Sequence, residues 1–144
     1  MYCIINHEND SVAFINTTDI GLCDTSKCTI YYLPVDNVTR YVDGKFYTVY
    51  GEEYTGEVVD VTDTYIDLSS YSREVTAGTD VTLTLPAGEY EVYYERTYAG
   101  KFTSDGSTPK TLKPKNVGRY KIIATNTPCN GLVIRVYEPA IEIF

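Results

Sequence analysis

The sequence lacks several residues on which enzymatic chemistry commonly depends: it has no tryptophan, and it has one histidine, His7, among 144 residues. A nucleophile needs a neighbouring base, and a single histidine near a terminus leaves few ways to build such a pair. No serine lies in a Gly-x-Ser-x-Gly turn, and the ten glycines are scattered instead of forming a phosphate-binding loop. We therefore expect no enzymatic activity and no cofactor.

Long apolar runs and excess positive charge are also missing. The N-terminus MYCIINHENDSVAF has neither a basic region nor the apolar stretch of a secretion signal, and no segment is long enough to span a bilayer. The formal net charge of −8 argues against general nucleic-acid binding, which depends on neutralising phosphates. These features predict a soluble protein made in a cytoplasm, with neither membrane nor nucleic acid as a partner.

Four cysteines are present, and the sequence leaves their state open. In a chain without a secretion signal, reduced structural thiols are the default interpretation. Two alternatives remain: a disulfide between Cys23 and Cys28, or a zinc site built from Cys3, His7, Cys23 and Cys28. Because the zinc spacing is loose, we expect no metal site.

The residues that are abundant predict strands. There are 15 tyrosines and many threonines, both of which favour extended backbone, and no segment has a helical period over more than two turns. In Val75–Arg96 two alternating runs flank the breaker Pro-Ala-Gly, and Asp43-Gly44 predicts a tight hairpin turn. We predict an all-β protein built as an antiparallel sandwich, with a β-rich region over residues 1–70 and a second unit over residues 71–144.

The predicted strands are spaced along the whole chain. They cover Tyr2–Asn6, Val12–Ile15, Cys28–Leu33, Val38–Val42, Phe46–Tyr50, Glu57–Val61, Tyr65–Leu68, Val81–Leu85, Glu89–Arg96, Arg119–Thr125 and Leu132–Glu138. Lys101–Lys115 is rich in lysine and proline, which predicts an exposed connection with at most a short edge strand.

From Val75 onward the chain resembles an immunoglobulin-like domain in three pieces. These are Val75-x-Ala77-Gly78-x-x-Val81-x-Leu83-x-Leu85, then Asn116-Val-Gly118-Arg-Tyr120-Lys-Ile122-Ile-Ala124-Thr-Asn126, and finally Leu132-Val-Ile134-Arg-Val136. The resemblance implies a tyrosine corner, in which the Tyr120 hydroxyl bonds to upstream backbone near Asn116 and Gly118.

The resemblance also has departures. Leu85 and Ile122 stand where the family usually places its bridged cysteines, which implies that apolar packing replaces the disulfide. The family's tryptophan is absent, so Tyr93 or Tyr94 is expected to fill its space in the core. A competing interpretation pairs Val81–Leu85 with Glu89–Arg96 as a plain hairpin in one sheet, because the Pro-Ala-Gly link is short.

Charge is distributed unevenly along the chain. Residues 1–100 carry 5 basic and 17 acidic residues, a net charge of −12, whereas residues 101–121 carry six basic residues against Asp105 alone, a net charge of +5. The basic segment is either a solvated loop or a patch that orients an acidic partner. The candidate interface residues are Lys110, Lys113, Lys115, Tyr2, Tyr98, Tyr137 and Phe144.

Small size, acidic charge and a disulfide-free immunoglobulin-like half resemble accessory proteins of tailed-bacteriophage virions. The resemblance implies a non-enzymatic auxiliary capsid, or decoration, protein that is made in the host cytoplasm and binds other virion proteins, with the major capsid protein as the expected partner and self-association as a further possibility. An alternative is a carbohydrate- or receptor-binding module of a phage fibre or tail, or of a bacterial cell surface, in which Tyr93 and Tyr98 contact the ligand.

Overall fold

Strands make up about half of the chain, and the computed structural model describes residues 1–139. In the first half the strands are β1 (Tyr2–Asn6), β2 (Val12–Ile15), β3 (Cys28–Tyr32), β4 (Val38–Val42), β5 (Lys45–Thr48), β6 (Glu53–Tyr54), β7 (Val59–Asp60) and β8 (Ile66–Asp67). In the second half they are β9 (Arg73–Thr76), β10 (Val81–Leu83), β11 (Gly88–Tyr94), β12 (Thr97–Ser104), β13 (Lys110–Leu112), β14 (Gly118–Ala124), β15 (Cys129–Asn130) and β16 (Leu132–Tyr137). Short 3-10 helices at Thr62–Thr64 and Ser69–Tyr71 flank β8.

The first half contains two small antiparallel sheets. One has the strand order β2-β1-β3-β7 and the other β4-β5-β6. Asp43 and Gly44 turn the chain between β4 and β5 with φ angles of 52° and 81°, a backbone conformation that aspartate and glycine tolerate better than most residues. The two sheets share an apolar cluster of Cys3, Ile5, Leu33, Val38 and Phe46.

The second half is a sandwich of a five-stranded and a two-stranded sheet. The larger sheet has the order β12-β11-β14-β16-β9, in which β9 runs parallel to β16, and the smaller sheet pairs β10 with β13. This strand order is immunoglobulin-like, and it confirms the predicted all-β fold class with an immunoglobulin-like C-terminal half. The competing interpretation, a plain hairpin in one sheet, is wrong, because β10 pairs with β13 in the other sheet and not with β11.

Apolar packing fills the sandwich. Leu85 and Ile122, at 1% and 0% exposed, belong to one buried cluster between the sheets. Tyr90 is 1% exposed and stacks on Phe102 with ring centroids 5.6 Å apart. The expectation that Tyr93 or Tyr94 fills the tryptophan space is therefore wrong, because Tyr90 is the aromatic residue of β11 that points into the core.

The segment before β14 has the expected corner geometry. The Tyr120 hydroxyl accepts a hydrogen bond from the Asn116 backbone N–H at 3.4 Å, and its ring lies 4.8 Å from that of Tyr94. Gly118 has a φ of 139°, and a Cβ at this position would come within 2.9 Å of the Tyr94 ring. A side chain at Gly118 would therefore displace the Tyr94 ring and the Glu95 carboxylate.

Part of the predicted exposed connection is regular structure. Residues 101–104 belong to the long strand β12, which pairs antiparallel with β11 as far as Gly88 opposite Ser104. The prediction of a connection is wrong there, because pairing with β11 overrides the weak local pattern. Residues 110–112 form β13, a short strand that pairs with β10.

The two halves are joined by polar contacts, by one short parallel pair, and by apolar contacts of Ile66 and Leu68 with the core of the second half. β8 pairs with β15, and the Thr18 hydroxyl donates to the carbonyl of Ala124. The Asp19 carboxylate accepts from the Gly131 N–H and also forms an ion pair with Lys121. Leu68, which precedes the expected boundary at residue 70, packs in the buried cluster of the second half.

Replacing Tyr90 by phenylalanine tests the core assignment. The Tyr90 hydroxyl donates to the Pro86 carbonyl at 2.7 Å in a buried setting, so Tyr90→Phe should lower the free energy of unfolding by about 1–2 kcal/mol. Tyr120→Phe should cost less, under about 1 kcal/mol, because its bond to Asn116 is long.

Urea denaturation measures both variants, with Tyr98→Phe as the control because Tyr98 is 54% exposed. Equal stability of Tyr90→Phe and the unmodified chain would contradict the role of this hydroxyl.

Candidate functional site

The sandwich is open on one side, and a groove lies there. β12 is the last strand of the five-stranded sheet, and β13 belongs to the two-stranded sheet opposite it. Residues of both strands line a cavity of about 360 Å³, together with the connection that follows β13. We call this cavity the lysine groove.

The floor of the lysine groove is apolar. Phe102 comes from β12 and Leu112 from β13, and both are partly buried against the core cluster. Deeper in the floor, Ile122 and Ile134 are 0% and 2% exposed. Because the two-stranded sheet is too narrow to cover the larger one, the groove leads directly to the core of the sandwich.

Four lysines surround this floor: Lys101, Lys110, Lys113 and Lys115. Lys101 lies 3.7 Å from the Glu89 carboxylate, and the Lys110 ammonium lies 5.9 Å from the centroid of the Phe102 ring. Within residues 1–139, no carboxylate lies within 4.0 Å of Lys113 or Lys115. The groove therefore presents positive charge around an apolar surface, on a chain whose net charge is −8.

The turn before β13 is fixed by Asp105. Its carboxylate accepts hydrogen bonds from the backbone N–H groups of Ser107 at 2.9 Å and Thr108 at 2.7 Å, and from the Thr108 hydroxyl at 2.6 Å. These bonds, with the Thr108 hydroxyl first, hold the pKa of Asp105 well below its usual range. The ionised carboxylate thus orders the entry to β13, and the proline at position 109 then leads into the strand.

The structure separates the candidate interface residues. Lys110, Lys113 and Lys115 come together at the lysine groove. Tyr98 and Tyr137 are about half exposed and lie instead on the outer face of the five-stranded sheet.

Tyr2, a further candidate, does not serve as a contact in this structure. Tyr2 is 8% exposed and packs against Tyr32 at a centroid distance of 5.3 Å, so it is unavailable as a contact, contrary to the prediction. Its early position in the chain concealed that β1 is an inner strand of its sheet, between β2 and β3. Phe144 lies outside the described residues.

The cysteines and the histidine do not form one cluster in the described part of the chain. Cys3 is fully buried, and burial raises the pKa of its thiol to about 12. His7 is exposed and hydrogen-bonds Thr29 at 2.7 Å. Burial, together with the adjacent Cys28 thiol, raises the pKa of Cys23 to about 11, and all four cysteines are free thiols.

The floor of the groove was not found from the sequence. Phe102 and Leu112 stand among lysines and threonines in KFT and KTLK, which hides them in a polar context. The signal that was available is that each is a single apolar residue between polar neighbours, which is typical of a half-buried edge strand.

The described residues contain no helix of the length and apolar character needed to cross a membrane.

Comparison with known proteins gives one distant structural likeness. No protein-family model and no curated protein sequence matches the chain. The chain is similar to the extracellular domain of mouse leukocyte-associated immunoglobulin-like receptor 1, solved as a strand-swapped dimer, with 14% identity, a TM-score of 0.35, and coverage of 51% of this chain and 87% of that one. A likeness this distant carries no argument about function, and the fold assignment rests on the strand order.

The Asp105 turn gives a prediction about pH. Asp105→Ala should speed amide hydrogen exchange at Ser107 and Thr108, because both N–H groups lose their acceptor. Since the folded-state pKa is lowered, the stabilisation is present above about pH 4, the ordinary value for aspartate, and is lost as pH falls through the lower folded-state pKa.

Exchange measured by NMR over an acidic pH series checks this, with the exposed Asp80→Ala as the matched control. Identical exchange at Ser107 and Thr108 in the Asp105 variant and the unmodified chain would contradict the assignment.

Proposed function

We propose that this chain is a non-enzymatic structural protein of a bacteriophage virion, an auxiliary capsid protein that is made in the host cytoplasm and binds the repeated surface of the capsid. The observation that carries the proposal is the lysine groove, which combines an apolar floor with four lysines on an otherwise acidic chain. Such a surface suits an acidic protein partner and offers no chemistry of its own.

The physical roles of the two parts of the groove differ. The lysines attract and orient an acidic partner, an effect that weakens with salt. The apolar floor contributes affinity, since contact with Phe102 and Leu112 removes apolar area from water. The groove is lined by 14 residues, fewer than the roughly 20–30 per side of a stable protein interface, so each contact is weak. Attachment then depends on many copies and on their concentration.

The outer face of the five-stranded sheet supports a second contact. Tyr98 packs edge-on against Tyr93 at 5.8 Å, and Tyr137 is 50% exposed at the other end of the sheet. Tyrosine gives a large contact area at low cost in conformational entropy. These residues suit a neighbouring subunit or a second copy of the chain.

The direct test is quantitative mass spectrometry of purified particles from the source, in which the chain is counted against the major shell protein. Hundreds of copies per particle support a decoration protein, whereas about a dozen indicate the neck, tail or fibres. Absence of the chain from the particles would overturn the proposal.

Charge reversal tests the groove itself. Lys113→Glu with Lys115→Glu should weaken binding of the chain to particles at least about tenfold at low salt, and the difference should shrink as salt rises. The matched control is Lys27→Glu with Lys45→Glu, which changes the net charge equally at exposed lysines of the first half.

Co-sedimentation with particles stripped of this chain measures the binding. An equal loss in both double variants would show that only the net charge matters, and would contradict a role for the groove.

A carbohydrate- or receptor-binding module is the second candidate. It is favoured by the Tyr93 and Tyr98 ring pair, whose polar end is fixed by a 2.8 Å hydrogen bond from the Tyr93 hydroxyl to Glu91. Loss of glycan or receptor binding in Tyr98→Ala, with the lysine variants unaffected, would support this function over the first.

A further inference from the structure

We propose that the lysine groove takes one extended strand of the partner, with alternating apolar and acidic side chains, and that this strand pairs with the free edge of β13. The inference rests on the proposed function, because it names the chemistry of the partner at that site. It makes the binding event an addition to the two-stranded sheet of the sandwich.

The backbone of β13 provides the template. β13 is paired with β10 in the register Val81–Leu112, Thr82–Thr111 and Leu83–Lys110, and its other edge carries no strand within the described chain. Successive residues of a strand point their N–H and C=O groups to opposite edges. At least one residue of β13 therefore offers both groups to an incoming strand.

β12, the other strand edge at the groove, is a poorer template. Its pairing with β11 shifts register between Val92 and Tyr93, and Gly100 has a φ of 144° in the same region. A bulge of this kind twists an edge away from regular pairing. An added strand is therefore expected on β13.

The side chains of the groove set the sequence of the partner. A strand beside β13 places alternate residues toward Phe102 and Leu112, which favours apolar residues at those positions. Its remaining residues point outward, where Lys113 and Lys115 have no carboxylate partner within the described residues. Acidic residues at these positions gain charge-assisted contacts.

The same lysines exclude other strands. A second copy of β13 would bring its Lys110, Lys113 and Lys115 close to the same lysines of the first copy, and like charges on adjacent strands are destabilising. The prolines at 109 and 114 donate no N–H, so pairing is limited to roughly four residues. The edge is therefore selective for acidic strands and weak in a single contact.

The probe is a blocked hexapeptide of alternating valine and glutamate, added to the full chain. It should bind with a Kd of roughly 0.1–1 mM. It should also slow amide exchange within Lys110–Leu112, where the free N–H gains an acceptor. The analogue with lysine in place of glutamate should not bind. An analogue with N-methyl groups on the edge that faces β13 should bind at least about tenfold more weakly.

The variants supply the remaining controls. Lys113→Glu with Lys115→Glu should lose peptide binding, and Lys27→Glu with Lys45→Glu should keep it. Thermal melts of both double variants confirm that each is folded before binding is compared.

Each contrary outcome has a separate meaning. Binding that is insensitive to N-methylation, or protection at β12 instead of β13, overturns the strand addition and leaves the groove as a side-chain contact. No binding up to roughly 1 mM overturns the inference without bearing on particle composition. Absence of the chain from particles, with peptide binding retained, overturns the proposed function and leaves the strand site standing.

Discussion

The core of the C-terminal sandwich is covered unequally by its two sheets, and much of the structure depends on this constraint. Five strands face two, so a single short strand, β13, closes one side of the core. Ile122 and Ile134 remain buried, because Phe102 and Leu112 extend over them from the two sheets. The lysine groove is the part of the core that this narrow cover leaves accessible.

The first half attaches through loops, a short parallel pair, and the apolar side chains of Ile66 and Leu68. β15 pairs with β8, which places the fully buried Cys129 opposite Ile66 in the apolar cluster of the second half. The partly buried ion pair of Asp19 with Lys121 fixes the same junction, with the Gly131 N–H as a second partner of the carboxylate. Because Lys121 is paired with Asp19, it does not add to the unpaired positive charge of residues 101–121. Most of that unpaired charge therefore lies at the lysine groove.

The sequence predicted those parts of the fold that local pattern determines. The hairpin at Asp43-Gly44 follows from turn chemistry, and β14 and β16 follow from their alternation. The sequence did not reveal β12, because Gly100 and the polar residues around Phe102 interrupt the alternating pattern of a strand. Pairing with β11 supplies the stabilisation that the local sequence lacks. The lysines of the groove were identified as a group, but their apolar floor required the tertiary arrangement, since Phe102 and Leu112 meet only across two sheets.

The lysines at the groove have two consistent physical effects. An edge strand beside an accessible core invites pairing with other chains, and lysine and proline at such an edge oppose that tendency. The same ammonium groups become attractive when the incoming strand is acidic, because Lys113 and Lys115 have no internal partner in the described residues to compete for them. A feature that protects an open edge thereby also selects its partner, and the selection is sharper because β13 is only three residues long. So short a ladder provides little pairing energy by itself, which leaves charge and side-chain fit to decide which strand is accepted.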